Sequence, residues 1–369
     1  MKKLIAIILL LLLSKLATAT DYKCRDLITN KMYLGTVACT SSQIEIYHRD
    51  LGKAEIVNPY GNELLTDHIF PYGSVWYAPI PLNAPLDPNS ANLTADFLRQ
   101  KAKYFGTVGV NTTQYAAPVY LADASMPRVQ VNFNNCQGKT TLPTSFITQM
   151  NSVPIPSYAL PSDGTDAEMA VYKPSTNEYW EMWKTVKDAK GNWSACWGGK
   201  IDDTRLNEGV FPTYYGTTAT SLPFIGGQVT AEELVRGEIK HAIGISLVEA
   251  EQRTIFSYPA HRSDGYNPTG VPNRIAEGQR FRLDPNVNVD LLPLSPAGKT
   301  IAKAAQKYGF IVWDHAGALS IRLSNPIAQT SKGLVNPYTA VFAGEAMWHV
   351  LSGVPWNKLQ FFPMNYGKP

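Results

Sequence analysis

The sequence predicts a mainly β protein, a β-sandwich or jelly roll with a few short helices, preceded by a small N-terminal hairpin module. Three observations carry this expectation. Short segments of period two recur along the chain, among them PVYLAD, RVQVNF, MAVYKP, EYWEMWKTV and QRFRL. Turn-forming stretches, Ser175-Thr176-Asn177 and the run from Asp188 to Asn192, separate several of them. Helical spacing is confined to a few short segments, and no internal repeat or low-complexity tract interrupts the pattern.

The first nineteen residues place Lys2 and Lys3 before an apolar run over 4–13 and then Ala17-Thr18-Ala19, the order of a secretory signal peptide cleaved after Ala19. The apolar run, about ten residues, is too short to span a bilayer, and no later segment is long and apolar enough to do so. Cleavage removes Lys2, Lys3 and Lys15 from 33 basic residues, leaving 30 against 30 acidic ones. A neutral mature chain gives no electrostatic case for a nucleic-acid or anionic-membrane partner. The product expected is exported, periplasmic or secreted.

Four segments follow from composition: the leader over 1–19, a cysteine-containing module over 20–55, a proline-rich linker or wrap over 56–90, and the main domain over 91–369 with its tail packed on it. DYKCRDLITNKMYLGTVAC reads as two short strands around Thr29-Asn30. Residues 40–80 are poorly periodic, and PYGSVWYAPIPLNAPLDPNS lacks the backbone donors of a central strand. A helix is expected over 91–104 with Asn89 or Ser90 as its cap. Thr230 and Glu233 match a capping box, with Gly237 as the stop. EIKHAIGISL then reads as a strand with Ile239, His241, Ile243, Ile245 and Leu247 on one side, and TIFSY as another strand. Ser295-Pro296 opens a helix that Gly309 ends, and FIVWDH with ALSIRL reads as a hairpin across Ala316-Gly317.

Cys24, Cys39, Cys136 and Cys196 form an even set in an export context, which allows three pairings. Cys24 with Cys39 would close a short local loop. Cys136 and Cys196 either cross-link distant strands or stay free and buried. No CxxC or HExxH spacing occurs, and neither a metal nor another cofactor is expected.

The start of the mature chain, YKC with a second cysteine after a short hairpin, resembles a small module of exported Gram-negative envelope proteins. The stretch from Asp166 to Leu323 is similar to a family of exported bacterial β-rich proteins with no assigned chemistry. The resemblance rests on Trp180-Glu181, on Gly191 to Trp193, and on Ile201-Asp202-Asp203-Thr204-Arg205-Leu206-Asn207. It continues through Leu222 to Gly227, Gly237 to Ala242, Pro259 to His261, Arg280 to Leu283, and Tyr308-Gly309. It implies a shared exported β-rich domain and names no substrate; Gly244 and Ser246 depart from the pattern.

In EYWEMWKT, Tyr179, Glu181, Trp183 and Thr185 share one face of the strand, and that mixture of acid and aromatics suits a sugar-binding surface. Glycosidic hydrolysis needs two carboxyl groups across a cleft, and Glu181 is the first candidate, with Asp203 or Asp166 as partner. His241 is either a hydrogen-bonded core histidine or a general acid–base whose titration burial has tuned. His261 with Arg262, at a strand end, pairs a base with a cation that would neutralise a uronate, as elimination by a polysaccharide lyase requires. Tyr179, Trp183, Trp193 and Asp166 are the candidate substrate-binding residues. Asp290 and Asp314 read as turn or strand-end residues, with Asp314-His315 able to join such a site, while Ser263-Asp264 beside His261 makes no GxSxG elbow.

The function expected is an exported carbohydrate-active enzyme, a hydrolase or a lyase, whose partner is a polysaccharide or other glycan. A non-catalytic, carbohydrate-binding envelope protein is the alternative, and an acid peptidase on a sandwich is a third. Under the enzyme reading Glu181, His241 and His261 open into one cleft.

Overall fold

Strand Phe310–His315 is buried on both sides, and the two cores of the body meet along it. Phe310 and Val312 point into one apolar cluster with Phe97, Phe281, Ile301 and Phe361. Ile311 and Trp313 point the other way, into a second cluster with Trp76, Tyr179 and Phe224. A period of two with both faces apolar is what a central strand between two packed layers requires.

The computed structural model describes the backbone of 21–26, 32–35, 43–50 and 53–55, and residues 68–71, 73–212 and 214–368 in full. The strands are β1 Asp21–Asp26, β2 Met32–Gly35, β3 Gln43–Asp50, β4 Lys53–Glu55, β5 Gly109–Asn111, β6 Val119–Leu121 and β7 Val131–Phe133. They continue as β8 Met169–Lys173, β9 Glu178–Trp183, β10 Val186–Lys187, β11 Trp193–Ala195 and β12 Trp197–Ile201. The last are β13 Ile243–Leu247, β14 Arg280–Leu283, β15 Phe310–His315, β16 Ser320–Arg322 and β17 Leu359–Phe361.

A mixed sheet has the order β17-β14-β15-β13-β16-β5, a second the order β12-β9-β8-β6, and a third the order β10-β11-β7. β1 to β4 form their own sheet, β2-β1-β3-β4, so the segment after the expected hairpin carries two further strands. The leader and Cys39 lie outside the described residues, as do 56–67 of the expected linker. The protein is thus built from sheets with short helices, and no helix among the described residues is long and apolar enough to cross a membrane.

Most expected elements form. Helix Ser90–Lys103 buries Leu93, Phe97 and Gln100, one face at helical spacing, although Asn89 makes no side-chain cap bond. Helix Ala231–Arg236 has its capping box, and Gly237 ends it in the left-handed region. In helix Pro296–Lys307 the Ser295 side chain accepts from the Gly298 amide. Cys136 and Cys196 are joined in a disulfide.

Three expectations fail. The segment over 254–258 is loop rather than strand. The strand after Gly237 begins only at Ile243, because its pairing with β15 begins where Ile243 meets Phe310. β15 and β16 are no hairpin: β13 lies between them, parallel to β15 and antiparallel to β16. A strand with all five residues buried takes the centre of a sheet, where both ladders and both faces are covered.

The proline-rich wrap is bound through its carbonyl groups, the half of the backbone that proline retains. Arg280, on β14, donates to the carbonyls of Ala78 and Tyr308. Arg282 donates to those of Pro81 and Leu82. Trp76, from the same segment, fills the space between Gly209, Gly226 and Gly227 and donates its indole N–H to the Gly209 carbonyl.

Gly244 permits β13 to pass under Trp313, since a Cβ there would stand 2.3 Å from the indole. Gly244→Ala is expected to destabilise the fold by about 1–3 kcal/mol through overpacking. Gly317→Ala, where a Cβ meets nothing within 4 Å, serves as the control and leaves the melting temperature within a degree or two. Thermal unfolding of the two variants checks this.

Candidate active site

The loop before β8, the ends of β9 and β15 and the start of β12 converge on a cleft of about 620 Å³. Its floor carries Glu168 and Asp314, its rim Asp166, Asp264, Arg262 and Lys139, and its aromatic walls Trp183, Trp197 and Tyr214. Trp183 and Trp197 are directly opposed across the β9–β12 ladder. Trp183 donates its indole N–H to Asp166 at 3.0 Å, and Trp197 stacks on Phe146 and Tyr215. The Cys136–Cys196 disulfide ties the rim loop bearing Gln137 and Lys139 to the residue before β12.

Arg322 organises the floor. One terminal nitrogen donates to Glu168 at 3.0 Å and the other to Asp314, so one guanidinium carries a carboxyl group at each end. Its plane also lies over the rings of Phe224 and Trp313. Glu168 is held from behind: its amide donates to the Ser162 hydroxyl and its carbonyl accepts from the Ser162 amide. Asp314 accepts a further bond from the Ala219 amide. The segment bearing Asp166 is zipped to the end of β9 by Lys184 N–H to the Asp166 carbonyl and Thr185 N–H to that of Ala167. Ala167 and Lys184 both take positive φ at this crossing, a local strain of about 1 kcal/mol or more each.

One buried cation facing two carboxyl groups cannot hold both ionised without cost, so one keeps its proton near neutrality. Burial pushes Glu168 up to about 7 even against the pull of Arg322, and raises Asp314 in the same direction. Glu168 is the more deeply enclosed, with 2% of its side chain exposed against 13% for Asp314. Of the two, Glu168 is the group that burial draws toward keeping its proton near neutral pH. Beside them Glu277, buried next to Asp264, is raised well above the usual carboxyl range by burial and then by that neighbour's charge.

Of the residues singled out from sequence, Asp166, Trp183, Arg262 and the pair Asp314-His315 line this cleft, as do Ser263 and Asp264. Glu181, His241 and His261 do not share it. Glu181 is fully buried one side chain behind the wall, where it accepts from Tyr179 Oη, the Phe224 amide, and the amide and hydroxyl of Thr217. Tyr179 is sealed against Phe211. The shared face of β9 is thus dry core except at Trp183, because the mixed sheet covers it.

His241 lines a different cleft, with Nδ1 toward the Ala242 carbonyl and Nε2 3.1 Å from Glu233. Both ring nitrogens face acceptors, so the ring donates from both as an imidazolium. His261 is exposed and lines neither cleft, while its neighbour Arg262 donates to the carbonyls of Gly216 and Thr218. Asp203 caps the turn Thr204–Leu206 and pairs with Arg205. Trp193 is core, with Lys187 over its ring.

Sequence reasoning missed Glu168 and Arg322. The only local signal was a charge at the edge of an apolar run, Glu168 before MAVYK and Arg322 within SIRL. Comparison with family models, curated proteins and solved structures finds no match for this chain.

Glu233 raises the titration of His241 despite burial, and Glu233 is itself held below its ordinary value by that partner. The histidine's contribution to stability is full below its unfolded value of 6.5 and is lost as pH rises through the raised one. The glutamate's is full above 4.5 and is lost as pH falls through the lowered one. The stability difference between the wild type and His241→Phe is expected to be largest between these values and to shrink on either side. Chemical denaturation across pH checks this.

Proposed function

We propose that this protein is an exported glycoside hydrolase that cleaves a neutral polysaccharide in the cleft floored by Glu168 and Asp314. The observation that carries the reading is the pair of carboxyl groups on the two ends of Arg322, Glu168 raised to about 7 by burial and Asp314 the more open of the two, beneath aromatic walls. Glycosidic cleavage asks for that division of roles. Glu168 donates its proton to the leaving oxygen as the glycosidic bond breaks, and Asp314 supports the positive charge that develops on the sugar or takes up its carbon. A water molecule then bonds to that carbon, displacing Asp314 where it had bonded and returning a proton to Glu168. Trp183, fixed by Asp166, offers a ring for a sugar to stack on.

Hydrolysis is favoured over elimination by the charges lining the cleft. Elimination from a uronate needs a cation to neutralise the substrate's own carboxylate. Arg322 is committed to Glu168 and Asp314, and Arg262 reaches two carbonyl groups. The cations left in the lining, Lys139 and Arg262, stand beside two further carboxyl groups, Asp166 and Asp264. Export is supported by the leader-like first nineteen residues and by the Cys136–Cys196 disulfide, a bond that persists in oxidising compartments. The contact of the two larger sheets through Tyr179, Phe224 and Trp313 supports reading the body as a sandwich flanked by helices. The ordered motifs between Asp166 and Leu323 support kinship with exported bacterial β-rich proteins.

A panel of neutral polysaccharides, assayed for new reducing ends, tests the proposal. The wild type is expected to release them, and Glu168→Gln to lose about 10²–10⁴-fold in rate at unchanged folding. The rate of the wild type falls as pH rises through about 7, where Glu168 gives up its proton. Glu181→Gln, away from the cleft, lowers the melting temperature and keeps the activity. Full activity in Glu168→Gln, or unsaturated uronate absorbance in place of new reducing ends, contradicts the proposal. Binding of a glycan without turnover would make the protein a carbohydrate-binding module.

A further inference from the structure

The second cleft, about 550 Å³, runs along β6. β6 is the edge of its sheet, paired with β8 alone. The bonds from Ala170 N–H to the Pro118 carbonyl and from Ala122 N–H to the Tyr172 carbonyl fix which backbone groups face β8. Those of Val119 and Leu121 face outward, and among the described residues they have no hydrogen-bond partner. All three residues of β6 line the cleft. Gln228, 3% exposed, lines it too: its amide nitrogen is fixed on the Ala117 carbonyl, and its Oε1 is buried with no partner. Two outward N–H groups, two outward carbonyls and one buried acceptor in one groove are an unmet hydrogen-bonding demand.

From this geometry we infer that the groove binds an extended peptide segment, which adds to β6 as a fifth strand. Backbone pairing with Val119 and Leu121 gives the register, and alternate side chains of the peptide rest on Ile225, Leu334 and Tyr338. His241 and Glu233 in the lining are paired with each other, and Lys332 is a further lining cation, so a peptide with an acidic flank is complemented there. The groove is separate from the carboxyl cleft and shares no lining residue with it.

The test uses the full protein and a library of fluorescent acetylated hexapeptides that alternate β-branched and polar residues and carry an acidic residue at one end. Binding is followed by anisotropy and by hydrogen exchange over 118–122. Members of the library are expected to bind and to slow exchange in that segment. Leu121→Pro, which removes an outward N–H from an edge residue with a 60% exposed side chain, weakens binding by about tenfold or more. Should that variant fold poorly, a peptide methylated on alternate backbone nitrogens makes the same test on the unaltered protein and loses binding. Glu168→Gln binds as the wild type does, so this result stands apart from the fate of the hydrolase reading. The inference is overturned if no library member binds, or if the methylated peptide binds as well as its parent.

Discussion

The buried ion triad of Glu168, Arg322 and Asp314 is the constraint on which the rest of the site depends. Arg322 sits on β16 and Asp314 on β15, both in the mixed sheet, whereas Glu168 leads into β8 of the other sheet. The guanidinium therefore ties the two sheets together at the point where their strands end. Buried ion groups of this kind add little net stability, because desolvation offsets most of their attraction. Removing one member alone is costly, since it strands a charge or a carboxyl pair in an enclosed site. What the triad supplies is position: two carboxyl groups held against one planar cation at the bottom of a cleft.

The apolar scaffold explains why the cleft lies there. β15 is sealed on both faces as far as Trp313, and the next residue, Asp314, is the first with no apolar layer to fill. The same happens on β9, where Tyr179 and Glu181 are enclosed and Trp183, two residues on, reaches the opening. Polar chemistry appears where alternation continues past the end of the core. Gly244 beneath Trp313, and the arginines of β14 on the wrap carbonyls, keep those strand ends from shifting.

Much of the local structure was legible in the chain because it rests on short-range rules. The capping box at Thr230, the Ser295 cap, the helix from Ser90 and the parity of EYWEMW all follow from neighbours a few residues apart. The parity of β9 was read correctly, yet its meaning was inverted. A face carrying Glu181 and Tyr179 looks like a ligand surface until β15 of the mixed sheet packs over it, and that strand lies more than a hundred positions later. The β15–β16 hairpin failed for a similar reason, since β13 enters between strands that are neighbours in sequence. Glu168 and Arg322 are 154 residues apart, and nothing local distinguishes either from an ordinary surface charge. His241, open between a core histidine and an acid–base in the sequence, is paired with Glu233 from the helix just before it.

The central claim is that a glycan lies in the Glu168–Asp314 cleft with its bond presented to Glu168. The most direct measurement is a crystal structure of the Glu168→Gln variant with a bound neutral oligosaccharide. The account predicts a sugar ring on Trp183 and a glycosidic oxygen within hydrogen-bond reach of residue 168, on the same side of the cleft as Asp314. An oligosaccharide seated elsewhere, or a cleft left empty by saturating glycan, would contradict it.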